Sequence, residues 1–543
     1  MKARHLLEAT GASIIALFPY YYQLFLPLHL RIYHHDLPIT TIVRGLLLDM
    51  LGVFALGCVV IIVVTRLSPR VRNVIGACLA GLVIWRFLLV AIVLRAAALS
   101  FVGRDELEIP TNALPVFWTK TAYFLKFAAP LSLAMVALWK PAISRPFIRG
   151  ARFGLAGVAF SAMWIIPTLS WVAFEPHSSS VLARGPVSAQ PRERSDQRVI
   201  WIVFDELSYD LAFDHRPAGL LLPQFEKVHS KSMSLGNLEP VGYFTDRVIP
   251  SLLLGQPVDQ IRSDLDGNLS YTDQAQHRWV SYDADKTLFG LANANGWNPG
   301  VSGWFNPYCR VFASVLSSCF WRSEIGSSLA LELMGASSDK SSLENALILP
   351  RYFLLSHGPQ QKTDDKALTY NRLLQDYHSI MTEASTLIQS DRVHFVFVHL
   401  PLPHPPGLYD RKTHRYSKDG NYLDNLVLAD EALGDLMQQI DSTPLADRTT
   451  VIVSSDHSWR VPIWRTGPDW TKEEEQISQG RFEPRPVFLV HFPGESSGGE
   501  VRIPLSELVE HEIIAKILKG EMKTADDLGA FLQSSTQQVA HTD

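Results

Sequence analysis

Apolar residues fall into two regimes along this chain. Between residues 10 and 174 they form long runs, and from about 197 onward they form short runs set between polar stretches. Five early runs approach the roughly 20 apolar residues that a membrane span requires. They are Ile14–Leu30, Leu46–Val64, Val74–Leu94, Val116–Leu138 and Phe153–Phe174. The last carries no charge, whereas the first is short and holds Pro19 and Pro27. No A-x-A-like cleavage site follows that first run and further runs do, so it reads as a retained span.

The later regime has a different period. "RVIWIVF" (198–204), "VHFVFVHL" (393–400), "TTVIVSSDH" (449–457) and "RPVFLVHFPG" (485–494) are short continuous apolar runs. Runs of this form fit strands buried on both faces of a largely parallel sheet. Helical patterns lie between them: "TLFGLANANG", "NRLLQDYHSIMTEASTLIQ" and "YLDNLVLADEALGDLMQQI", with "SELVEHEIIAKIL" as a closing helix. Strands alternating with helices predict a doubly wound α/β domain, its mostly parallel sheet flanked by helices. The expected organisation is a five-helix transmembrane domain (1–174), a linker rich in Ser, Pro and Arg (175–197), an α/β domain (198–520) and a frayed polar tail (521–543).

Composition sharpens the membrane reading. Of 543 residues, 47% are hydrophobic and only 19% charged. The net charge of −5 comes with no basic stripe, which argues against a nucleic-acid partner. Basic residues are unevenly placed. Lys2 and Arg4, then Arg66, Arg70 and Arg72, then Lys140, Arg145, Arg149 and Arg152 fall in alternate loops, while the intervening loops hold Arg31 with Arg44 and Arg95 with Arg104. This bias predicts a multi-pass protein of the inner (cytoplasmic) membrane, with a cytoplasmic N-terminus and a periplasmic or extracellular C-terminal domain. Asp49, Arg86, Lys120 and Lys126 fall in or near spans, where they either pair for packing or line a path for lipid. Cys309 and Cys319 lie in the outer part, as a disulfide or as two buried thiols.

Candidate chemistry gathers at strand ends, where open α/β sheets bind ligands. Asp205 and Glu206 end the first strand, His399 and His404 follow the second, and Asp456 and His457 end the third. His399, with apolar neighbours on its strand, reads as a core histidine, and His404 in the Pro-rich loop as the site residue. A mixed oxygen and nitrogen set without cysteine suits zinc or manganese in a catalytic site. Thr245 stands ahead of "PSLLLG", read as a helix start with Pro near its first turn. Thr245 or Asp246 either caps that helix, or Thr245 supplies a metal-activated nucleophile. Arg247 and Arg460 either clamp an anion bidentately or serve the surface.

These residues carry a resemblance. "VFDEL", "TLFGLANANGWNPGVSGW", "VIVSSDH" and "RPVFLVHFPG" make residues 198 to about 495 resemble the sulfatase-like branch of the alkaline phosphatase superfamily. Sulfatases carry a Cys or Ser, converted to formylglycine, ten residues before a Gly. Here Thr245 stands ten residues before Gly255, with Pro250 five residues on, and Thr is no substrate for that conversion. The Lys of the sulfatase Gly-Lys-Trp element is also absent, because Gly303 is followed directly by Trp304. The Thr-to-Pro spacing is similar to that of membrane phosphoethanolamine transferases, and five spans before the domain resemble lipoteichoic acid synthases. The resemblance implies that Glu206, Thr245, Asp456 and His457 hold a divalent metal, with Asp205 matching the paired acids of sulfatases. It further implies Thr245 as nucleophile and His404 at the phosphoryl group or a second metal; Arg247 and Arg460 join His404 as candidate substrate-binding residues on the anion-clamp reading alone. No His follows the Asp-His pair in "SWRVPIWRTGPDW", so one main metal site is expected. The implied activity is a membrane-anchored, metal-dependent phosphotransferase or hydrolase. A membrane lipid would be donor and an envelope glycan or lipid the acceptor. A sulfuric ester hydrolase and a non-catalytic membrane scaffold are the alternatives.

Overall fold

The structure is a computed structural model that describes residues 2–21, 39–101, 113–174, 197–263, 269–273, 278–323, 360–465, 467 and 469–539. The chain divides into two compact units, one built from the N-terminal helices and one from the C-terminal α/β region. The expected linker falls almost wholly outside the described residues.

The first unit holds helices α1 (Ala3–Tyr21), α2 (Ile39–Arg66), α3 (Pro69–Phe101), α4 (Ala113–Trp139), α5 (Pro141–Ala159) and α6 (Ala162–Phe174). Large apolar side chains face outward, Phe124, Leu131, Leu138, Phe153 and Met163 among them, which is the surface a lipid solvent favours. Small residues allow close approach between helices. A Cβ on Gly11 of α1 would lie 1.9 Å from the Leu155 carbonyl oxygen of α5, and one on Gly81 of α3 would lie 2.6 Å from Pro130 of α4. Charge also joins them: Glu8 of α1 pairs with Arg4 and with Arg152 of α5, each at 2.9 Å. Of the span charges, Arg86 donates to the Ile15 and Ala16 carbonyls of α1. Arg86 and Lys126 border an apolar cavity of about 750 Å³. Asp49 is buried, and the side chain of Lys120 lies outside what the structure describes.

The expected count of five spans is not confirmed among the described residues. Among the described residues, two helices are long and apolar enough to cross a membrane, Val43–Arg66 and Pro69–Ala91. The count reaches three if α5 and α6, bent by 47° at their junction, form one span. The segment 153–174 is therefore not one straight helix: its first residues complete α5 and the rest turn away as α6. Phe124–Trp139 is shorter, and the first expected span runs beyond the described end of α1 at Tyr21. Two or three apolar helices suit membrane anchoring.

The second unit is built on an eight-stranded sheet. Its strands are β1 (Arg198–Asp205), β2 (Met233–Leu235), β3 (Pro299–Phe305), β4 (Ser318–Ser323), β5 (Phe395–Pro403), β6 (Thr449–Ser455), β7 (Phe488–His491) and β8 (Gly499–Val501), in the order β8-β2-β7-β6-β1-β5-β3-β4. Every pairing is parallel except those of β7, which runs antiparallel to β6 and to β2. The four apolar runs of the sequence are β1, β5, β6 and β7. The alternation of β1 shows why the run is continuous. Val199, Trp201 and Val203 enter one core and Ile200, Ile202 and Phe204 the other, so both faces are dry.

Helices cover both faces: α7 (Pro223–His229), α8 (Thr245–Leu254), α9 (Leu288–Ala294), α10 (Gln360–Gln389), α11 (Tyr422–Asp441), α12 (Val509–Leu518) and α13 (Ala525–Val539). The sheet is thus α/β and mostly parallel, as the pattern predicts. The polar tail is corrected: α13 buries Leu528 and Leu532 in the core, and that amphipathic stripe holds residues 525–539 as helix. Cys309 and Cys319 form a disulfide, with Cα atoms 5.4 Å apart.

Candidate active site

The parallel strands β1, β5 and β6 deliver their C-terminal ends side by side, because Phe204 pairs with Ser455 and with Leu400. Asp205 therefore ends β1 next to Asp456 and His457, the residues that follow β6. Glu206 takes a left-handed backbone at φ 68°, a costly conformation for a residue with a Cβ. The Tyr422 hydroxyl holds that turn by donating to the Glu206 carbonyl at 2.7 Å.

Thr245 reaches the same place from α8. The helix begins at Thr245, so Pro250 lies inside it and the expected start at Pro250 is corrected. Its N-cap is Phe244, with no side-chain cap. The Thr245 hydroxyl instead donates to Asp456 Oδ2 at 2.7 Å and lies 3.4 Å from His457 Nε2. Asp246, inside the first turn, is not the N-cap residue either. Gly255 closes α8 at φ 71°, where a Cβ would meet the His511 ring at 2.5 Å.

The donors converge. His457 Nε2 lies 3.3 Å from Asp456 Oδ2 and 3.9 Å from Asp205 Oδ1. Its Nδ1 faces the Ser458 carbonyl oxygen at 3.1 Å, which assigns the proton to Nδ1 and leaves the Nε2 lone pair toward the carboxylates. Asp456 Oδ1 accepts from the backbone N–H groups of Glu206 and His457, at 3.1 and 2.8 Å. Thr245, Asp205, Asp456 and His457 are all buried. Burial, with the charge of Asp456 second, holds Asp205 well above the ordinary carboxylate range, and burial pushes Asp456 up to about 7. Burial, then Arg460, holds His457 and His404 well below the usual imidazole range, so both are neutral.

Two observations fit a divalent metal. Both carboxylate oxygens of Asp205 are fully buried without a hydrogen-bond partner, an arrangement natural proteins avoid unless something else satisfies it. Three buried carboxyl groups (Asp205, Glu206, Asp456) face one guanidinium (Arg460), and ionised together they would leave an excess of two negative charges for a cation to balance. Among the described residues, two groups offer ligand atoms within 4.8 Å of one another, Asp205–Glu206–His404 and Asp205–His399–Asp456.

Asp205 belongs to both groups, whereas Glu206 is otherwise engaged. Its Oε1 accepts from Arg460 Nε at 2.5 Å, and Trp464 Nε1 lies 2.9 and 2.8 Å from its two oxygens. Arg460 is thereby a buried partner of Glu206 rather than a surface residue. Both Arg460 and Arg247 lie 5.5 Å from the ring centroid of Phe244, beside Thr245. His404 packs against Trp304 and Trp464, with Nε2 3.9 Å from Glu206. Sequence reasoning passed over three contributors. Asn306 Nδ2 donates to the Thr245 carbonyl at 3.3 Å, Trp464 fixes Glu206, and His399 enters a carboxylate group. Only the last left a signal, as a polar residue in a strand otherwise apolar.

Residues 341–497 match the Sulfatase family model, a stretch that carries His399, His404, Asp456, His457 and Arg460. That stretch of the chain is thus similar to the Sulfatase family. Among solved structures, the chain is similar to the lipoteichoic acid synthase LtaP from Listeria monocytogenes, at 12% identity and TM-score 0.36, covering 61% of this chain and 73% of that one. It is also similar to the phosphonate monoester hydrolase of Agrobacterium radiobacter, at 14% identity and TM-score 0.36, covering 60% and 74%. Murine ectonucleotide pyrophosphatase/phosphodiesterase 5 is a third, at 11% identity and TM-score 0.33, covering 60% and 95%. No curated protein matches the sequence.

Proposed function

We propose that this chain is a membrane-anchored, metal-dependent phosphotransferase or hydrolase that acts on phosphoryl-linked headgroups through Thr245. The observation that carries the reading is the Thr245 hydroxyl, turned away from helix capping and toward Asp456 at 2.7 Å. Asp205, Asp456, His457 and Thr245 would hold the ion, with Glu206 beside them. A bound zinc or manganese ion supplies Lewis acidity, which lowers the pKa of a hydroxyl and neutralises charge on a phosphoryl group. Thr245 Oγ1 attacks phosphorus and passes its proton to Asp456 Oδ2. The new bond joins Oγ1 to phosphorus, the bond from phosphorus to the donor's alcohol oxygen breaks, and that departing oxygen takes the proton from Asp456. Arg247 and Arg460 balance the phosphoryl charge, and His404 contacts a phosphoryl oxygen. An acceptor hydroxyl or water then attacks phosphorus and gives its proton to Asp456, the Oγ1–phosphorus bond breaks, and Thr245 recovers its proton from Asp456. The donor is a membrane lipid and the acceptor an envelope glycan or lipid, with the catalytic domain on the outer side of the cytoplasmic membrane.

Thr245→Ala removes the nucleophile and should cut turnover by roughly 10⁴-fold or more. Metal content should persist through the remaining donors. Normal turnover in that variant would sink the proposal. The family match also favours a second reading, hydrolysis of a sulfate ester by activated water or unmodified Thr245. A panel of aryl sulfate against aryl phosphodiester separates the two, and the first reading expects the phosphodiester to be preferred.

A further inference from the structure

His399 has an arrangement that a core histidine does not need. Its strand places it on the same face as Phe397 and Phe395, among apolar neighbours, and it is fully buried. A buried imidazole normally satisfies both nitrogens. Here Nδ1 lies 2.8 Å from the Tyr308 hydroxyl, and Nε2 has no hydrogen-bond partner. One of its ring nitrogens lies within 4.8 Å of carboxylate oxygens of both Asp205 and Asp456. Tyr308 occupies Nδ1, so Nε2 is the nitrogen offered to them.

Tyr308 is itself held from two sides. A Cβ on Gly303 of β3 would lie 2.5 Å from the Tyr308 ring, so the ring packs directly on that glycine. The next residue, Cys309, is bridged to Cys319 on β4, the neighbour of β3 in the sheet. The ring is thus fixed at its face by bare backbone and at its chain position by a covalent link.

We infer that His399 Nε2 is a ligand of the cation at the Asp205–Asp456 centre, and that Tyr308 is its positioning residue. In this arrangement Nδ1–H donates to the Tyr308 oxygen, which leaves the Nε2 lone pair toward the carboxylates. His457 uses the same logic, with its Nδ1 proton given to the Ser458 carbonyl. Metal-bound histidines are commonly oriented in this way by a partner on the second nitrogen. The inference rests on the cation-dependent reading above.

The test is metal binding by the full-length, detergent-solubilised protein, stripped of metal and titrated with zinc against a competing chelator. Stripped samples are also compared by thermal unfolding. The wild type should bind zinc stoichiometrically. His399→Gln should weaken binding at least tenfold, and Tyr308→Phe, which keeps the ring, should weaken it about ten- to a hundredfold. Cobalt(II) loading gives an independent readout, since loss of a nitrogen ligand should shift its visible absorption in His399→Gln. Wild-type zinc affinity in both variants, with only the metal-free thermal midpoint lowered, would overturn the inference and leave His399 a packing residue. Absence of stoichiometric zinc binding in the wild type would overturn the cation-dependent reading together with it.

Discussion

Asp205 and Glu206 are adjacent acids with different surroundings, and the difference is testable. The Glu206 carboxylate is enclosed by Arg460 and Trp464, while that of Asp205 has no hydrogen-bond partner. Removing one partner of a buried ion pair costs about 3–5 kcal/mol, because the remaining charge is left uncompensated. Arg460→Met should therefore lower the thermal midpoint sharply. Asp205→Asn should leave the metal-free midpoint near wild type and abolish stoichiometric metal binding. The reverse pattern would exchange the roles of the two acids. The strand ends were legible because a dry apolar run ending in Asp-Glu or Asp-His leaves polar groups only at the sheet's rim. The engagement of Glu206 was not, since Arg460 and Trp464 follow β6 and reach it only through the parallel pairing of β1 with β6. His399 reads as core for a related reason. On a strand buried on both faces every position looks like core, and only the partner of Nδ1 shows that Nε2 is left over.

At the scale of elements, the ends of β1, β5 and β6 together with α8 carry the site, and α7 offers a control away from it. The carboxylate of Asp430 accepts from the N–H groups of Gln224 and Phe225 at the start of α7, at 3.0 and 2.7 Å. Burial nevertheless pushes Asp430 up to about 6. The unfolded chain loses this proton near pH 4 and the folded chain near 6, so the native state binds more protons in between. Asp430 therefore costs the fold stability as pH rises through that window, up to about 2–3 kcal/mol. Asp430→Asn should flatten the fall in thermal midpoint between pH 4 and 6, and an unchanged slope would contradict this origin. The Cys309–Cys319 bridge closes a short loop, so replacing both residues with Ser should cost about 2–3 kcal/mol, read as a lower thermal midpoint. Cysteine spacing left the bridge undecided, because it depends on β4 lying beside β3. Thr245 shows the same limit. A Thr before an apolar run reads as a cap, and only the N-cap at Phe244 frees its hydroxyl for Asp456.

For the whole molecule, the hydropathy pattern marked where apolar helices lie but not where they bend. Residues 153–174 are apolar throughout, so the 47° bend between α5 and α6 leaves no trace in transfer energy. A backbone can change direction without changing its solvent preference. The α/β unit was more legible, because alternating short strands and helices leave few ways to bury both faces of a sheet. An apolar anchor joined to a metal-dependent Thr nucleophile requires a covalent intermediate on Thr245. The direct measurement is a mass spectrum of the purified full-length protein after incubation with membrane phospholipids, with the peptide containing Thr245 resolved. The account predicts a phosphoryl headgroup adduct on Thr245, absent after metal removal and absent in Thr245→Ala. An unmodified Thr245 under conditions where headgroup transfer is measured, or an adduct carried by another residue, would contradict it.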